Sequence, residues 1–449
     1  MESGLEETAM IARRIYNVIP LTADEKEKLI SLVGSDLIMK DESDVVINSV
    51  EEEPGSGRGD NYTSMLYRVR AKGKKQLKSG EWDNWERAII YKVLPQSKEL
   101  REAFKSEMLF RNEVAFYTYV WPALNQLQLN GKKVFNGIAK VYAARADLIA
   151  MEDLRERGFK MADRRKGLKF EHLKLVLKAL AGFHALSLTL RETRYKCCFV
   201  FFFFFLILLY LINYLSHCIQ EVLFRIENED WYRQYYKTAA NNAIRMVSDG
   251  LPACMEHRRE EIMDKLNAFL NDNVFFRTMS ELAAAQGPLT VFCHGDCWIN
   301  NILFRDQQDS ETEVIDFQLS RVGSLALDLA NLLYCCTSGQ VRQTYMTQLL
   351  QHYHFHLMSS LHILNPEQPP KNASFIWELR CGRFGVGLAL DILPISTCAS
   401  DEAPDLYERA ETGKEERNTR APTRPPPPGA ECARLMTDLV LELIHNHAL

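Results

Sequence analysis

The stretch Phe292-Cys-His294-Gly-Asp296-Cys-Trp-Ile-Asn-Asn301, followed twenty residues after Asp296 by Val314-Ile-Asp316-Phe317, decides how this chain reads. Before it, Pro288-Leu-Thr-Val-Phe-Cys293 is an apolar, β-favouring run that delivers His294 and Asp296 at a strand end, with a loop to follow. Asn301-Ile-Leu-Phe304 and Glu313-Val-Ile-Asp316 are two more short apolar runs, separated by the polar Arg305-Asp-Gln-Gln-Asp-Ser-Glu-Thr312. That is a hairpin pattern, and it brings Asn301 and Asp316 to one mouth. The residue types suit phosphoryl transfer, in which the protein aligns donor and acceptor and neutralises charge on phosphate oxygens. Asp296 would accept or orient the proton of the attacking hydroxyl, while Asn301 and Asp316 offer the hard oxygens that Mg²⁺ prefers. Taken singly, Asp296 is a turn residue, Asn301 a cap and His294 a buried, hydrogen-bonded histidine; the combination in a hairpin points to a site.

A phosphoryl donor needs its own cradle, and the N-terminal third offers the parts. Glu53-Pro-Gly-Ser-Gly57-Arg-Gly59-Asp-Asn61-Tyr62-Thr-Ser64 precedes Met65-Leu-Tyr-Arg-Val-Arg-Ala71, a run with strand character. Glycine-rich turn followed by strand is nucleotide-loop order: Gly57 and Gly59 let backbone N–H groups approach phosphates, and Asn61 or Ser64 adds donors. By itself such a pair of glycines beside a proline marks a surface turn. In Arg87-Ala-Ile-Ile-Tyr-Lys92-Val-Leu94, one lysine sits inside an apolar run, where its charge is costly without an anionic partner. ATP phosphates and a carboxylate of the next helix would supply that partner; Phe104–Val120 reads as this helix, carrying Glu107 and Glu113, with Glu113 the choice. Leu148-Ile-Ala-Met151-Glu152-Asp153-Leu154 is a strand turning polar, and the backbone of Met151, Glu152 and Asp153 is the candidate for the adenine edge. Phe170–Leu190 reads as an amphipathic helix whose His184 is a hydrogen-bonded core residue.

The 449 residues, 47% hydrophobic and 25% charged, are enough for more than one lobe, each with its own core. A net charge of −5 gives no electrostatic reason to expect nucleic acid or an anionic membrane surface as a partner. The eleven cysteines include no Cys-x-x-Cys pair, and Met1-Glu-Ser-Gly-Leu-Glu-Glu lacks a basic, apolar leader, so a reducing cytoplasm is the expected compartment. Residues 1–40 carry helix-like apolar spacing.

With these residues assembled, the chain resembles the ecdysteroid kinase-like family, also called CHK kinase-like, of arthropod small-molecule kinases related to choline and aminoglycoside kinases. The stretches that carry the resemblance are Gly59-Asp-Asn-Tyr62, Glu152-Asp-Leu-Arg-Glu-Arg-Gly-Phe-Lys-Met-Ala-Asp-Arg-Arg-Lys-Gly167, Phe292–Asn301, Ile315-Asp-Phe-Gln-Leu-Ser-Arg321 and Ser324-Leu-Ala-Leu-Asp-Leu329. The resemblance implies an α+β, two-lobed protein-kinase-like fold. A small β-rich N-lobe takes residues 1–150 and a larger, mostly helical C-lobe residues 151–449. It also implies ATP with Mg²⁺ and phosphorylation of a hydroxyl on a small molecule such as an ecdysteroid or a detoxification substrate. Asp328, on Leu325-Ala-Leu-Asp-Leu-Ala-Asn-Leu-Leu333, is similar to the buried aspartate that props the catalytic loop in this superfamily, while a plain helix cap fits the same position. His294 joins it as structural support.

Two departures from protein kinases are readable. Gly295 stands where those enzymes carry arginine before the catalytic aspartate, which removes the hook for a phosphorylated activation loop. Gln318 replaces the glycine after Asp316-Phe317, and the run to Leu325 is too short for a peptide-docking segment, so the expected substrate is small. Trp298 is a candidate wall of its pocket.

Cys197–Gln220 contains no Asp, Glu, Lys or Arg, holds Phe201–Phe205 in a row, and passes transmembrane length tests. A single span there would put Lys92 and Asp296 on opposite sides of a bilayer. The departure from the family pattern is confined to about residues 195–219, and its composition is that of translated T- and A-rich intron sequence. A membrane-tethered kinase-like protein and a pseudokinase or ligand-binding module crippled by the insert are the rival readings; retention of Lys92, Asp296, Asn301 and Asp316 argues against decay. Glu408–Gly429, ending in Arg424-Pro-Pro-Pro-Pro-Gly429, reads as a disordered linker, and Glu431–Leu449 as a helix. His352 and His356 share a helical face but read as packing residues, and Cys335-Cys336 as inert.

Overall fold

The structure, a computed structural model, describes residues 45–55, 63–95, 98–128, 131–197, 219, 221–284, 287, 289–305, 311–366, 380–399 and 429–449. Gly57, Gly59, Asn61, the N-terminal segment before residue 45, most of the Phe-rich insert and residues 401–428 of the linker region therefore lie outside the described residues. The described residues divide into two compact units, one of residues 45–114 and 139–158, the other of residues 115–138, 159–399 and 429–449.

The first unit is built on five antiparallel strands in the order β1-β2-β3-β5-β4: β1 Val45–Pro54, β2 Met65–Gln76, β3 Trp82–Val93, β4 Val141–Arg145 and β5 Leu148–Glu152. Alternate residues cluster on one face, Val69 and Ala71, Ile89 and Tyr91, Leu148 and Ala150, as the two-residue period of a strand requires. The opposite face of the central strands is buried as well, by Ile90, Lys92, Ile149 and Met151. This explains why β3 reads as a continuous apolar run at its end rather than an alternating one. Helices α1 Lys98–Ala103 and α2 Ser106–Ala115 follow β3. The helix expected over Phe104–Val120 thus begins later and changes character: Phe116–Val120 winds as a π-helical turn before α3 Trp121–Gln126. Such bulges reset which side chains face inward, and Phe116 uses this one to stack on Phe317 with ring centroids 3.9 Å apart.

The second unit is mostly helical, with α4 Phe170–Cys197, α5 Glu229–Gly250, α6 Arg259–Phe269, α7 Asp272–Ala284, α8 Ala326–Cys335, α9 Gly339–Leu364, α10 Arg380–Thr397 and α11 Ala430–His445. α4 packs along α9, and α8 along α10. Gly385 of α10 lies against the Tyr334 ring of α8 so closely that a Cβ there would meet ring carbon at 2.4 Å. Two short sheets interrupt the helices. Strand β7 Thr290–Cys293 pairs antiparallel with β10 Arg321–Ser324, and β8 Ile302–Arg305 pairs with both β6 Lys160–Met161 and β9 Glu311–Val314. The expected hairpin is the β8–β9 pair, with Ile302 opposite Val314. Among the described residues one helical stretch, Phe170–Glu192 of α4, is long and apolar enough to cross a bilayer, and 78% of its apolar window is buried within the protein.

Candidate active site

Strand β7, buried at all four residues, ends by presenting His294, Gly295 and Asp296. Gly295 has φ +86°, and a Cβ on it would lie 1.8 Å from the Leu319 carbonyl oxygen. Only glycine fits both the left-handed backbone and the contact. The position that marks the absence of an activation-loop hook is thus also fixed by packing.

The carboxylate of Asp328, 1% exposed on the first turn of α8, holds this loop: Oδ2 accepts from the His294 N–H at 2.7 Å and Oδ1 from the Gly295 N–H at 2.9 Å. It is not the helix cap, a position taken by Leu325 without a side-chain hydrogen bond. His184 Nε2 lies 3.1 Å from Asp328 Oδ2, and its Nδ1 lies 2.7 Å from the Tyr353 hydroxyl, so the core histidine of α4 and a tyrosine of α9 orient the aspartate. Burial pushes the Asp328 carboxyl up, but the hydrogen bond and charge of His184 outweigh it and leave the group below its ordinary value. His294 is fully buried; its Nδ1 accepts from the Asp296 N–H at 3.2 Å, which leaves Nε2–H to donate to the Ile315 carbonyl at 2.9 Å. Burial lowers its pKa, consistent with a neutral ring that ties the Asp296 loop to the residue before Asp316.

Asn301, 6% exposed, donates Nδ2 to the Asp296 backbone oxygen at 3.0 Å and to its Oδ2 at 2.8 Å. Trp298, expected as a pocket wall, is buried, and its side chain hydrogen-bonds to Asp296. The Asp296 carboxyl is thereby oriented from two sides. Its pKa is pushed up to about 7, first by burial and then by the charge of Asp316, against the opposing hydrogen bond of Asn301. Asp316 has φ 67° and ψ 73°, an uncommon conformation for a residue with a side chain, and its Oδ1 accepts from the Gln318 N–H at 3.4 Å at the start of the 3₁₀ turn Phe317–Leu319. Within twelve residues the chain passes from Asp316 through that turn and β10 to Asp328, which leaves no room for a docking segment.

A divalent cation fits this donor set. Both Nδ2 hydrogen bonds of Asn301 go to Asp296, so its Oδ1 remains as a neutral oxygen ligand beside the Asp316 carboxylate, and the repulsion felt by Asp296 is what a cation would relieve. Among the described residues no cluster of three His, Cys, Asp or Glu forms a cage.

In the first unit, Lys92 is 2% exposed and its Nζ lies 2.6 Å from Oε2 of Glu113, itself 1% exposed. Glu107, the other candidate, is exposed and lies 3.6 Å from Arg101. Ser64 is buried just before β2. Met151 is buried at the end of β5; the Glu152 N–H already donates to the Lys140 carbonyl at 2.9 Å, and Asp153 caps the 3₁₀ turn Leu154–Arg157 while pairing with Arg68 and Arg155.

The sequence pattern gave no role to Arg321, which is 1% exposed. It donates to the Gly295 carbonyl at 3.1 Å and pairs with Glu221 at 3.1 Å. An arginine in an otherwise buried strand carries the same signal that singled out Lys92.

The chain matches the ecdysteroid kinase-like family over residues 58–366. It belongs to that family. This makes it an enzyme of the small-molecule kinase class. Among solved structures it is similar to an ethanolamine kinase from Plasmodium vivax, at 13% identity over 86% of this chain and 93% of that one, with a TM-score of 0.39. A choline kinase from Cryptosporidium parvum matches at 12% identity over 91% of each chain, with a TM-score of 0.37. Likenesses this distant decide neither fold nor substrate. No curated protein matches significantly in sequence.

Proposed function

We propose that this family member transfers the γ-phosphoryl group of ATP, with Mg²⁺, to a hydroxyl of a small molecule, an ecdysteroid or a detoxification substrate. The observation that carries this reading is the Asp296 carboxylate, oriented by Asn301 and Trp298 on a loop clamped by Asp328, with Asp316 close enough to perturb its proton affinity. Asp296 accepts the proton of the acceptor hydroxyl; a carboxyl whose pKa lies near neutrality suits that task. Asn301 and Asp316 are the residues that would hold Mg²⁺, which would supply neutralisation of phosphate charge. Lys92, fixed by Glu113, binds donor phosphates, with Ser64 and with Gly57, Gly59 and Asn61, singled out from the sequence, as further donors and the backbone around Met151–Asp153 as the adenine contact. The acceptor is a small molecule, not nucleic acid, and the compartment is the cytoplasm, a point that subcellular fractionation tests.

Phosphotransfer from ATP to a panel of ecdysteroids and hydroxylated plant compounds, with Asp296→Ala as control, tests the assignment. Loss of at least about a hundredfold in turnover is expected from removing a general base. Unchanged transfer by that variant would remove Asp296 from the chemistry.

A further inference from the structure

The family match ends at residue 366, yet α10 beyond it carries a carboxylate that the phosphotransfer chemistry does not use. Asp391 is half-buried, and its one side-chain partner among the described residues is the Tyr235 hydroxyl, 3.1 Å from Oδ2, with no cation within ion-pair distance. A carboxylate withdrawn from water with a single donor is unfavourable unless something else donates to it. Burial pushes it up to about 6 against the Tyr235 hydrogen bond, so it is mainly ionised at neutral pH.

Its surroundings connect to the catalytic loop. On α5, Trp231 stacks on Tyr235 and Tyr232 on Tyr236, with centroids 5.2 and 4.2 Å apart. Phe224 packs against Tyr232 at 5.1 Å and Phe384 at 5.8 Å, and the Arg321 guanidinium lies 5.6 Å from the centroid of each of those two phenylalanines while donating to Gly295. The Tyr236 hydroxyl feels the charge of both Asp391 and Asp296.

Resting on the phosphotransfer reading, we propose that Asp391, backed by Tyr235 and the α5 aromatic wall, binds the acceptor by taking a hydrogen bond from a second hydroxyl, and so selects neutral, polyhydroxylated molecules with an apolar framework. The partly exposed rings of Trp231 and Tyr235 supply area for the framework, and the carboxylate a directional acceptor that rejects molecules unable to donate. An ammonium acceptor fits less well: the Phe224 and Phe384 faces are already occupied by the Arg321 cation, and Tyr232 and Tyr236 face each other.

Steady-state phosphotransfer by the full chain tests this with three acceptors: an ecdysteroid bearing several hydroxyls, a monohydroxylated sterol of the same ring system, and an amino alcohol. Asp391→Asn keeps an oxygen for Tyr235 but loses the charge, so the KM for the polyol should rise about tenfold, with the KM for ATP and the sterol unchanged. Tyr235→Phe, which cuts the contact between α5 and α10 and leaves the carboxylate in place, should raise the polyol KM less. Equal losses on polyol and sterol, or a fall in kcat and thermal stability at constant acceptor KM in both variants, would show a structural tether and overturn the proposal. Selective loss of the amino alcohol would overturn the hydroxyl specificity. If Asp296→Ala is inactive while Asp391→Asn behaves as wild type, only this inference falls; if Asp296→Ala still transfers phosphate, the function above falls instead.

Discussion

Asp328→Asn isolates the clamp under the catalytic loop from the chemistry above it. In the wild type the two carboxylate oxygens take the N–H groups of His294 and Gly295, at a site 1% exposed. Asparagine has the same shape but offers one oxygen and one NH₂, so one backbone N–H must face another donor. The loss is one charge-assisted hydrogen bond, about 1.5–3 kcal/mol, plus one orphaned buried N–H, about 1–3 kcal/mol, or roughly 3–5 kcal/mol together. For a unit of this size about 2 °C accompanies each kcal/mol, so Tm should fall about 6–10 °C. Thermal unfolding followed by tryptophan fluorescence reads this, because Trp298 lies on the affected loop, and phosphotransfer should fall with it. The pH dependence has a definite sign. The folded carboxyl is held below its unfolded value, so its contribution is complete above about pH 4 and disappears as the pH falls through the folded value. The gap between wild type and variant should therefore be constant from pH 5 to 8 and narrow below pH 4. A variant that melts within 1 °C of wild type at pH 7 and keeps full activity would refute the clamp.

Lys92→Met leaves Glu113 as a buried charge without its lysine and should cost about 3–5 kcal/mol in urea unfolding, most of it recovered in Lys92→Met/Glu113→Met; equal losses in single and double variants would show that the pair is not the cause. Asp296→Asn should abolish transfer yet stabilise the chain. Because burial and Asp316 raise the folded carboxyl to about 7, the wild type loses stability as pH rises from the unfolded value near 4 to that value. The variant should therefore gain about 1–2 kcal/mol at pH 8.5 in chelator, discounted for partial exposure, a smaller part of that at pH 5, and nothing below about pH 4. Transcript reads crossing Arg194–Glu221 should skip the Phe-rich codons, and continuous coverage of them in mature message would remove the intron reading.

Most of the site was legible because its parts lie close in sequence or break a local pattern. The β8–β9 hairpin followed from two apolar runs around a polar turn, and Lys92 from a charge inside an apolar strand, with Glu113 on the next helix. The β1 strand was missed because Val45-Val-Ile-Asn-Ser-Val-Glu-Glu-Glu-Pro54 has a run of acids where its partner β2 supplies bases: Glu51 and Glu53 meet Lys72 and Arg68 across the sheet, pairings that no local window contains. The π-helical turn at Phe116–Val120 was invisible for a related reason, since what selects it is the stack with Phe317, two hundred residues away.

His184, Tyr353 and Arg321 show what kind of residue sequence reading assigns to the core and then forgets. Each is fully or nearly fully buried, and each is polar, so each must end on a partner. Tyr353 ends on His184, His184 on Asp328 and Arg321 on Gly295, so all three lead to the points that fix the catalytic loop. Burial cost alone would have flagged all three, as it flagged Lys92, had the question been where their hydrogen bonds end. Among the described residues the same question asked of Asp391 returns one tyrosine and no cation, and a carboxylate left in that condition beside a phosphotransfer loop is best accounted for by an acceptor that brings its own hydroxyl.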